Sequence, residues 1–347
     1  MDKMGERFRY FAGKIYADRS PLYTNLALRV AEDPELLRLA ASAQEKAALP
    51  NLFFAAVHLL LLNGEHHQLA AFYPSLNNSS RQYDYVYPYF RSFVLEHPRE
   101  IREIMKTRSV QTNEIGRCAV LVPGFELVAA QTKRPPLTMI EIGSSAGLTL
   151  LWDRYHYRYG EGLECGDPNS PLKIECSLRG ETRPPIPREL PKVASRTGID
   201  LSPIDVNNAE NVQWLRALVW PDNLKRAIQL EHAIQLVKQA PQEIIPGNAL
   251  DLLPNLIDEV LDKASLCIYH SFTLTLASGE PREKLHSLLT KASKKRDLFL
   301  VWLEWATNSE TPLLGLANFS KGIKKEKILA RCHPHGEWLE WVNDQAD

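Results

Sequence analysis

The chain has 347 residues, of which 44% are hydrophobic and 24% charged, and its formal net charge is −1. This length suits two domains, or one domain with a large appendage, and this composition suits a soluble globular chain that buries a core. No basic domain stands out, so nucleic acid is not the expected partner and a small molecule is. The first residues, Met1 to Arg9, are charged and lack the apolar core of a signal peptide. The most apolar run, 52–62, is too short to span a bilayer, so no membrane partner is expected. Five cysteines without a C-x-x-C pair fit reduced thiols in a cytoplasmic protein. None of these features fixes an oligomeric state.

Residues 1–132 read as an all-helical domain, expected to act as lid and substrate pocket. Phe8, Phe11 and Ile15 recur at helical spacing. Ser20 before Pro21 is an N-cap signal, and Leu22, Leu26 and Val30 mark one face. Asp33-Pro34-Glu35 repeats the start signal ahead of Leu36, Leu37 and Ala40. The run 51–62 is apolar nearly all round, as a central helix is. His58 within it reads as a satisfied core histidine, with a catalytic base as the alternative. His66-His67 reads as a solvated loop. Residues 83–90 alternate, but Pro88 favours a loop leading into a helix over a strand. Helices resume from Arg91 and again over 115–130. Before the last of these stands Gln111-Thr112-Asn113-Glu114, with Arg117 one turn on. Thr112 is a candidate N-cap. Asn113, Glu114 and Arg117 form a catalytic set at the mouth of a ligand site, or else Glu114 and Arg117 pair on a helix surface.

Lys133-Arg134-Pro135-Pro136 breaks the helical pattern and opens a second domain, 133–347. A strand over 137–142 ends in Gly143 and leads into a helical pattern. Further strands are predicted over 197–201, 243–246, 266–269 and 298–303, alternating with helices over 209–217, 222–238 and 281–292. This alternation predicts an α/β fold: a doubly wound, mostly parallel, Rossmann-like sheet with helices on both faces. Residues 157–191 are rich in proline and contain Gly166-Asp167-Pro168-Asn169, with Asp167 a turn residue. They read as an insertion forming a hairpin or an extended excursion at the sheet edge. Asp153 and Arg154 read as a helix ion pair or as site lining. Cys332-His333-Pro334-His335 contains metal-ligating types, but no second cluster accompanies it and the proline suits a turn, so no metal is expected.

In such sheets ligands bind beyond the carboxyl ends of the strands, where the strand order reverses. The turn there is Glu141-Ile142-Gly143-Ser144-Ser145-Ala146-Gly147. Two glycines around three small residues let the backbone turn tightly and approach a ligand, and a helix following them would present free N–H groups. Ser145 stands where a dinucleotide fingerprint needs glycine, and Gly147-Leu148-Thr149 lacks the lysine of a phosphate-binding loop. The remaining ligand has a nucleoside and an amino-acid part and no phosphate.

These residues resemble the class I S-adenosylmethionine-dependent methyltransferases over roughly 135–305. Glu141, Gly143 and Gly147 match the first motif, which implies that Glu141 and the turn through Ser144 and Ser145 contact the methionine part. Gly198-Ile199-Asp200-Leu201-Ser202-Pro203 resembles the second, with Asp200 as the ribose-binding acid and Leu201 beside it. Asp200 lies much further along than the roughly 20 residues a compact unit has between glycines and acid. Gly247-Asn248-Ala249-Leu250-Asp251 resembles the adenine motif, with Asn248 where aspartate is common, and Cys267-Ile268-Tyr269-His270-Ser271 the fourth. The resemblance implies S-adenosylmethionine as cofactor and methyl transfer, with Glu114, His270 or His58 as general base where the acceptor needs one. The whole chain is also similar to the bacterial domain-of-unknown-function family numbered 2332. The runs that carry this are 51–58, 69–76, 111–114, the glycine turn, 151–155 and 214–221. That similarity implies the fold and no activity. The expected function is methyl transfer to a small molecule; the alternatives are a non-catalytic binding or scaffold protein, or a transferase of another group.

Overall fold

A computed structural model describes residues 2–41, 48–77, 82–111, 113–160, 162–260, 263–274, 279–306 and 309–342. The chain divides into two compact units, Met1–Thr112 with Asp205–Glu231 and Asn113–Ile204 with His232–Asp347. The first unit holds helices α1 (Asp2–Tyr10), α2 (Pro21–Val30), α3 (Pro34–Ala40), α4 (Leu49–Leu62), α5 (Val86–Glu96) and α6 (Pro98–Thr107). Helix α7 (Arg117–Gln131) belongs to the second unit, α8 (Ala209–Leu218) to the first, and α9 (Leu224–Gln239) runs from one to the other. Helices α10 (Ala249–Asp258) and α11 (Gly279–Ala292) complete the second unit.

Local chemistry sets the starts of the early helices. Ser20 Oγ accepts the Tyr23 N–H at 3.1 Å, and Asp33 Oδ1 accepts the Glu35 and Leu36 N–H groups at 2.8 and 3.2 Å. Residues 83–85 form a 3-10 turn that leads into α5, whose first turn tolerates Pro88. Thr112, the expected cap ahead of Arg117, lies outside the described residues. Helix α4 is apolar on every side and needs cover on every side. Part of that cover is α8: Trp214 and Ala217 join the cluster around Phe53 and Phe54, and Gln213 Nε2 donates to the Leu62 carbonyl at 3.0 Å. His58 is a satisfied core histidine, its Nδ1 3.1 Å from the Ala217 carbonyl.

The second unit carries β1 (Leu137–Ile142), β2 (His156–Tyr159), β3 (Leu163–Gly166), β4 (Lys173–Arg179), β5 (Val193–Asp200), β6 (Glu243–Pro246), β7 (Ser265–Ser271), β8 (Leu298–Glu304), β9 (Leu313–Ser320), β10 (Ile323–Cys332) and β11 (Trp338–Trp341). They form one eleven-stranded sheet in the order β3-β2-β4-β11-β10-β9-β8-β7-β1-β5-β6. The block β8-β7-β1-β5-β6 is parallel throughout. From β1 the chain steps outward to β5 and β6, then returns to β7 and β8 on the other side, so the strand order reverses at β1. Alternate strand residues point to opposite faces. Ile140, Ile268 and Leu300 pack with Leu253 of α10 and Leu285 of α11 on one face. On the other, Phe125 of α7 meets Trp152 and Tyr269 at ring distances of 4.8 and 5.1 Å. Helices on both faces of a mostly parallel sheet make the unit Rossmann-like.

Several expectations change. The helix predicted after the glycine turn is a six-residue 3-10 segment, Thr149–Arg154. Leu150, Leu151 and Trp152 are buried in succession, and the buried Tyr155, Tyr157 and Tyr159 then impose a strand period. The 157–191 segment supplies β2, β3 and β4, which continue the same sheet through the β4–β11 pairing. Asp153 bonds to Arg196 through both oxygens, at 2.6 and 2.9 Å, rather than to its neighbour Arg154. The helix over 117–131, expected with the helical domain, packs on the sheet through Phe125, and the residues 205–231, expected with the sheet, belong to the helical unit.

Candidate functional site

The turn after β1 is built on left-handed backbone. Gly143 has φ +77°, Ser145 φ +52° and Gly147 φ +70°. A side chain at Gly143 would lie 2.3 Å from Thr273 Oγ1, and one at Gly147 2.9 Å from Ile244 Cδ1. Ser145 is a non-glycine in a strained region, and its partners hold it there. Its N–H donates to Asp200 Oδ2 at 2.8 Å, its carbonyl accepts the Ile204 N–H at 3.1 Å, and its Oγ accepts from Asn113 Nδ2 at 3.1 Å. Asn113 Oδ1 accepts the Ala146 N–H at 3.2 Å, so this one side chain grips two successive residues of the turn. Ser144 Oγ is buried and has no hydrogen-bond partner among the described residues.

Register carries the neighbouring segments to the same end of the sheet. Ile142 lies beside Ile199, and Asp200 beside Pro246. The turn after β1, Asp200-Leu201 after β5 and Asn248-Ala249 after β6 therefore line up across three adjacent strands. Asp200 Oδ1 also accepts the Ser202 N–H at 2.8 Å. Leu201 is 81% exposed, a large apolar side chain left open beside a polar turn. Asn248 caps α10, its Oδ1 accepting the Leu250 N–H at 3.0 Å, while the residue itself is exposed.

Glu141 lies beneath the turn and is buried. Its carboxyl accepts from Thr149 Oγ1 and from Tyr269 OH, the latter at 3.2 Å. Burial pushes it up to about 8, opposed by those two donors and by Arg117, and reinforced by the nearby Asp200 charge. At neutral pH it is mainly a neutral acid that a cation arriving beside it would ionise.

Glu114 and Arg117 meet the loop between β10 and β11. Glu114 Oε2 is 2.8 Å from His335 Nδ1, and Oε1 accepts the Gly116 N–H at 3.3 Å. Arg117 donates from Nε to the Pro334 carbonyl at 3.1 Å and stacks over the Phe272 ring at 4.3 Å. The two backbones touch: a Cβ on Gly336 would lie 2.0 Å from the Gly116 carbonyl oxygen. The Cys332-His333-Pro334-His335 run is thus a turn that orders Glu114, and among the described residues no group of three His, Cys, Asp or Glu side chains could hold a metal.

His270 is on the other face of the sheet from Glu141. It pairs in register with Ile142 and Trp302, whereas Glu141 pairs with Tyr269. Its Nδ1 is 2.8 Å from Glu304 Oε1, which also accepts the Thr273 and Leu274 N–H groups at 2.9 and 3.0 Å. Burial alone would raise the Glu304 carboxyl, but the His270 ring and these two N–H groups outweigh it and hold it below its ordinary value. Thr273, so fixed, donates from Oγ1 to the Ile142 carbonyl at 3.0 Å and abuts Gly143. The pair therefore supports the loop that closes against the glycine turn. Sequence reasoning missed Glu304 and Thr273, and weighed His335 only as a metal-ligating type and not as the partner of Glu114; the only signal for Glu304 was an acid ending a buried apolar strand.

Fold and turn together define a Rossmann-like α/β protein whose glycine turn lies at the β1 switch point. The chain belongs to the family described as "Uncharacterized protein conserved in bacteria (DUF2332)", whose model matches residues 5–341. No curated protein matches it. Among solved structures it is similar to the plantazolicin methyltransferase BamL, captured with a triazolic desmethylPZN analog and SAH, at 13% identity and a TM-score of 0.25. That likeness covers 73% of this chain, and this chain spans 59% of that one. No helix among the described residues is long and apolar enough to cross a membrane.

Proposed function

We propose that this protein binds S-adenosylmethionine in the β1 crevice and transfers its methyl group to a small molecule. The observation that carries the reading is the alignment of three segments, Gly143–Gly147, Asp200-Leu201 and Asn248-Ala249, at one end of adjacent parallel strands. The residues fit that cofactor. A carboxylate has about four acceptor positions, and two of those on Asp200 are used by Ser145 and Ser202, which leaves two for ribose hydroxyls. Leu201 offers an apolar platform for a base, and the Asn248 amide can donate to a ring nitrogen. The buried Ser144 hydroxyl lacks a partner among the described residues, and Glu141 is poised to ionise beside an ammonium group.

The cofactor, when bound, supplies a methyl group already activated by its sulfonium. The protein's part is then to hold acceptor and donor in line and to keep water out. Asn113 fixes the turn that sets the donor's position. The Glu114–His335 pair is the group next to Arg117 able to take a proton from a hydroxyl or an ammonium acceptor. His270 acts through Glu304 and Thr273 as a positioning residue.

Calorimetric titration with S-adenosylmethionine and S-adenosylhomocysteine tests the reading. Micromolar binding is expected, lost in Asp200→Ala and weakened in Leu201→Glu, whose side chain is exposed and outside the core. Absence of binding to the folded wild type would overturn the proposal. Binding without turnover across an acceptor screen would favour a non-catalytic binding protein, a reading supported by His270 facing away from Glu141.

A further inference from the structure

The helical unit holds a cavity of its own, about 350 Å³, which no step proposed above uses. Its volume falls at the lower end of the range for small-molecule sites, roughly 300–1,000 Å³. Leu62, Val219, Trp220 and Leu230 supply apolar walls, and Ala227 and Ile228 of α9 lie along one side. Two polar features interrupt this lining. One is the ion pair of Arg216 and Glu231, joined through Nε and Nη2 at 2.6 and 2.8 Å, so the two charges at the cavity neutralise each other. The other is His58 with Ser75, Nε2 to Oγ at 2.8 Å.

The hydrogen-bond directions in this second feature can be read off. The Ala217 carbonyl can only accept, so His58 Nδ1 carries the proton. The ring is neutral: burial drives it down to about 4, against a smaller pull from the Ala217 and Val219 carbonyls. Its Nε2 is therefore a bare acceptor, and the Ser75 hydroxyl donates to it. With its one hydrogen committed, Ser75 turns only lone pairs toward the cavity. The same chain of bonds, Ser to His to an acceptor, is the layout of an activated serine nucleophile. Here, however, the acceptor is a neutral carbonyl and the ring resists protonation, so it stabilises no imidazolium. The arrangement suits recognition rather than acyl transfer.

We propose that this cavity is a binding site for an uncharged, largely apolar small molecule carrying one O–H or N–H donor, such as a phenol, an alcohol or an indole, which donates to Ser75 Oγ. Three of the runs through which the chain resembles its family, 51–58, 69–76 and 214–221, supply His58, Ser75 and the Arg216–Trp220 wall. The glycine turn is in the other unit, and the two sites are independent proposals.

The test uses the full chain and three probes of similar size: 4-ethylphenol, 4-ethyltoluene and 4-ethylbenzoate, followed by ligand-observed NMR titration. The phenol is expected to bind about tenfold more tightly than the toluene, the factor a single hydrogen bond to a buried acceptor supplies. The benzoate is expected not to bind. Ser75→Ala should bring the phenol to the level of the toluene while leaving the toluene unchanged. Ala227→Trp, checked for fold by circular dichroism, should abolish both by filling the space. Equal binding of phenol and toluene to the wild type, or binding that survives Ala227→Trp, would overturn the proposal. Hydrolysis of 4-ethylphenyl acetate, abolished in Ser75→Ala, would overturn it in favour of a nucleophilic serine.

Discussion

Replacing Gly143 by alanine should destabilise the sheet unit by an amount the structure allows to be worked out. At φ +77° an L-residue pays the steric penalty of left-handed backbone, about 1–2 kcal/mol. The new methyl would also sit 2.3 Å from Thr273 Oγ1 and 2.7 Å from its Cγ2. Thr273 has little freedom to retreat, because its N–H is held by Glu304 and its hydroxyl by the Ile142 carbonyl. Breaking that hydroxyl bond adds roughly 1 kcal/mol, giving about 2–3 kcal/mol in all. Urea unfolding followed by circular dichroism reads this as a lower midpoint at unchanged slope. Gly160→Ala is the comparator: nothing among the described residues lies within 4 Å of that Cβ, and its effect should stay within roughly 0.5 kcal/mol. Thr273→Ala in the Gly143→Ala background should return the steric part and leave the backbone part. A Gly143→Ala protein that unfolds at the wild-type midpoint would refute the geometry on which the crevice rests.

Glu141 keeps its proton in the folded chain up to about 8, whereas the unfolded chain releases it near 4.5, so stability falls as pH rises between those values. Glu141→Gln should flatten that fall, gaining on the wild type at pH 9 relative to pH 5; parallel pH profiles would contradict the buried neutral acid. Glu304 behaves oppositely: its depressed carboxyl adds stability at neutral pH that is lost as pH drops below the ordinary carboxylate range. Glu304→Ala, which strips His270, Thr273 and Leu274 of a shared acceptor, should cost about 3 kcal/mol in urea unfolding at pH 7 and less at pH 3. The half-hidden Asp153–Arg196 pair should make Asp153→Asn cost roughly 1–3 kcal/mol with little dependence on added salt. If S-adenosylmethionine binds, its ammonium beside Glu141 should release protons at pH 7, which appears as a binding enthalpy that varies with the buffer's heat of ionisation.

The parallel block was legible because burial writes itself plainly there. Strands β1 and β8 are buried at every position, so they read as mainly apolar runs, broken in β1 only by Thr138 and Glu141 and ended in β8 by Glu304. Ser20 and Asp33 announced their helices for the same local reason: the cap and the groups it satisfies are a few residues apart. Strand β10 was not legible. Its first half, Ile323 to Lys327, is charged and mostly exposed, and only pairing with β9 makes it a strand. Segment 205–231 reads as part of the sheet domain because it lies between two sheet strands in sequence; that Trp214 and Ala217 supply part of the cover of α4 is a tertiary fact. Of the candidate site, the glycines of the turn and the acid Asp200 that accepts from it stand out by residue type. The partners that give the others their roles do not, since His335 is 221 residues from Glu114 and Glu304 meets His270 only through the β7–β8 register.

Strand β11 is the last of the eleven to be synthesised, yet it lies inside the sheet, parallel to β4 on one side and antiparallel to β10 on the other. A chain leaving the ribosome amino end first can pair β1, β5, β6, β7 and β8 as each emerges. β4 can likewise pair with β2 and β10 with β9, but the other edge of each has no partner yet. Until residues 338–341 are released, both present an open row of N–H and C=O groups to any neighbouring chain. The loop that orders Glu114 and receives Arg117 joins β10 to β11, and so is among the last parts of the fold to form. Nascent chains of this protein therefore carry their glycine turn long before the groups around it, and the facing edges of β4 and β10 stay open until residues 338–341 emerge.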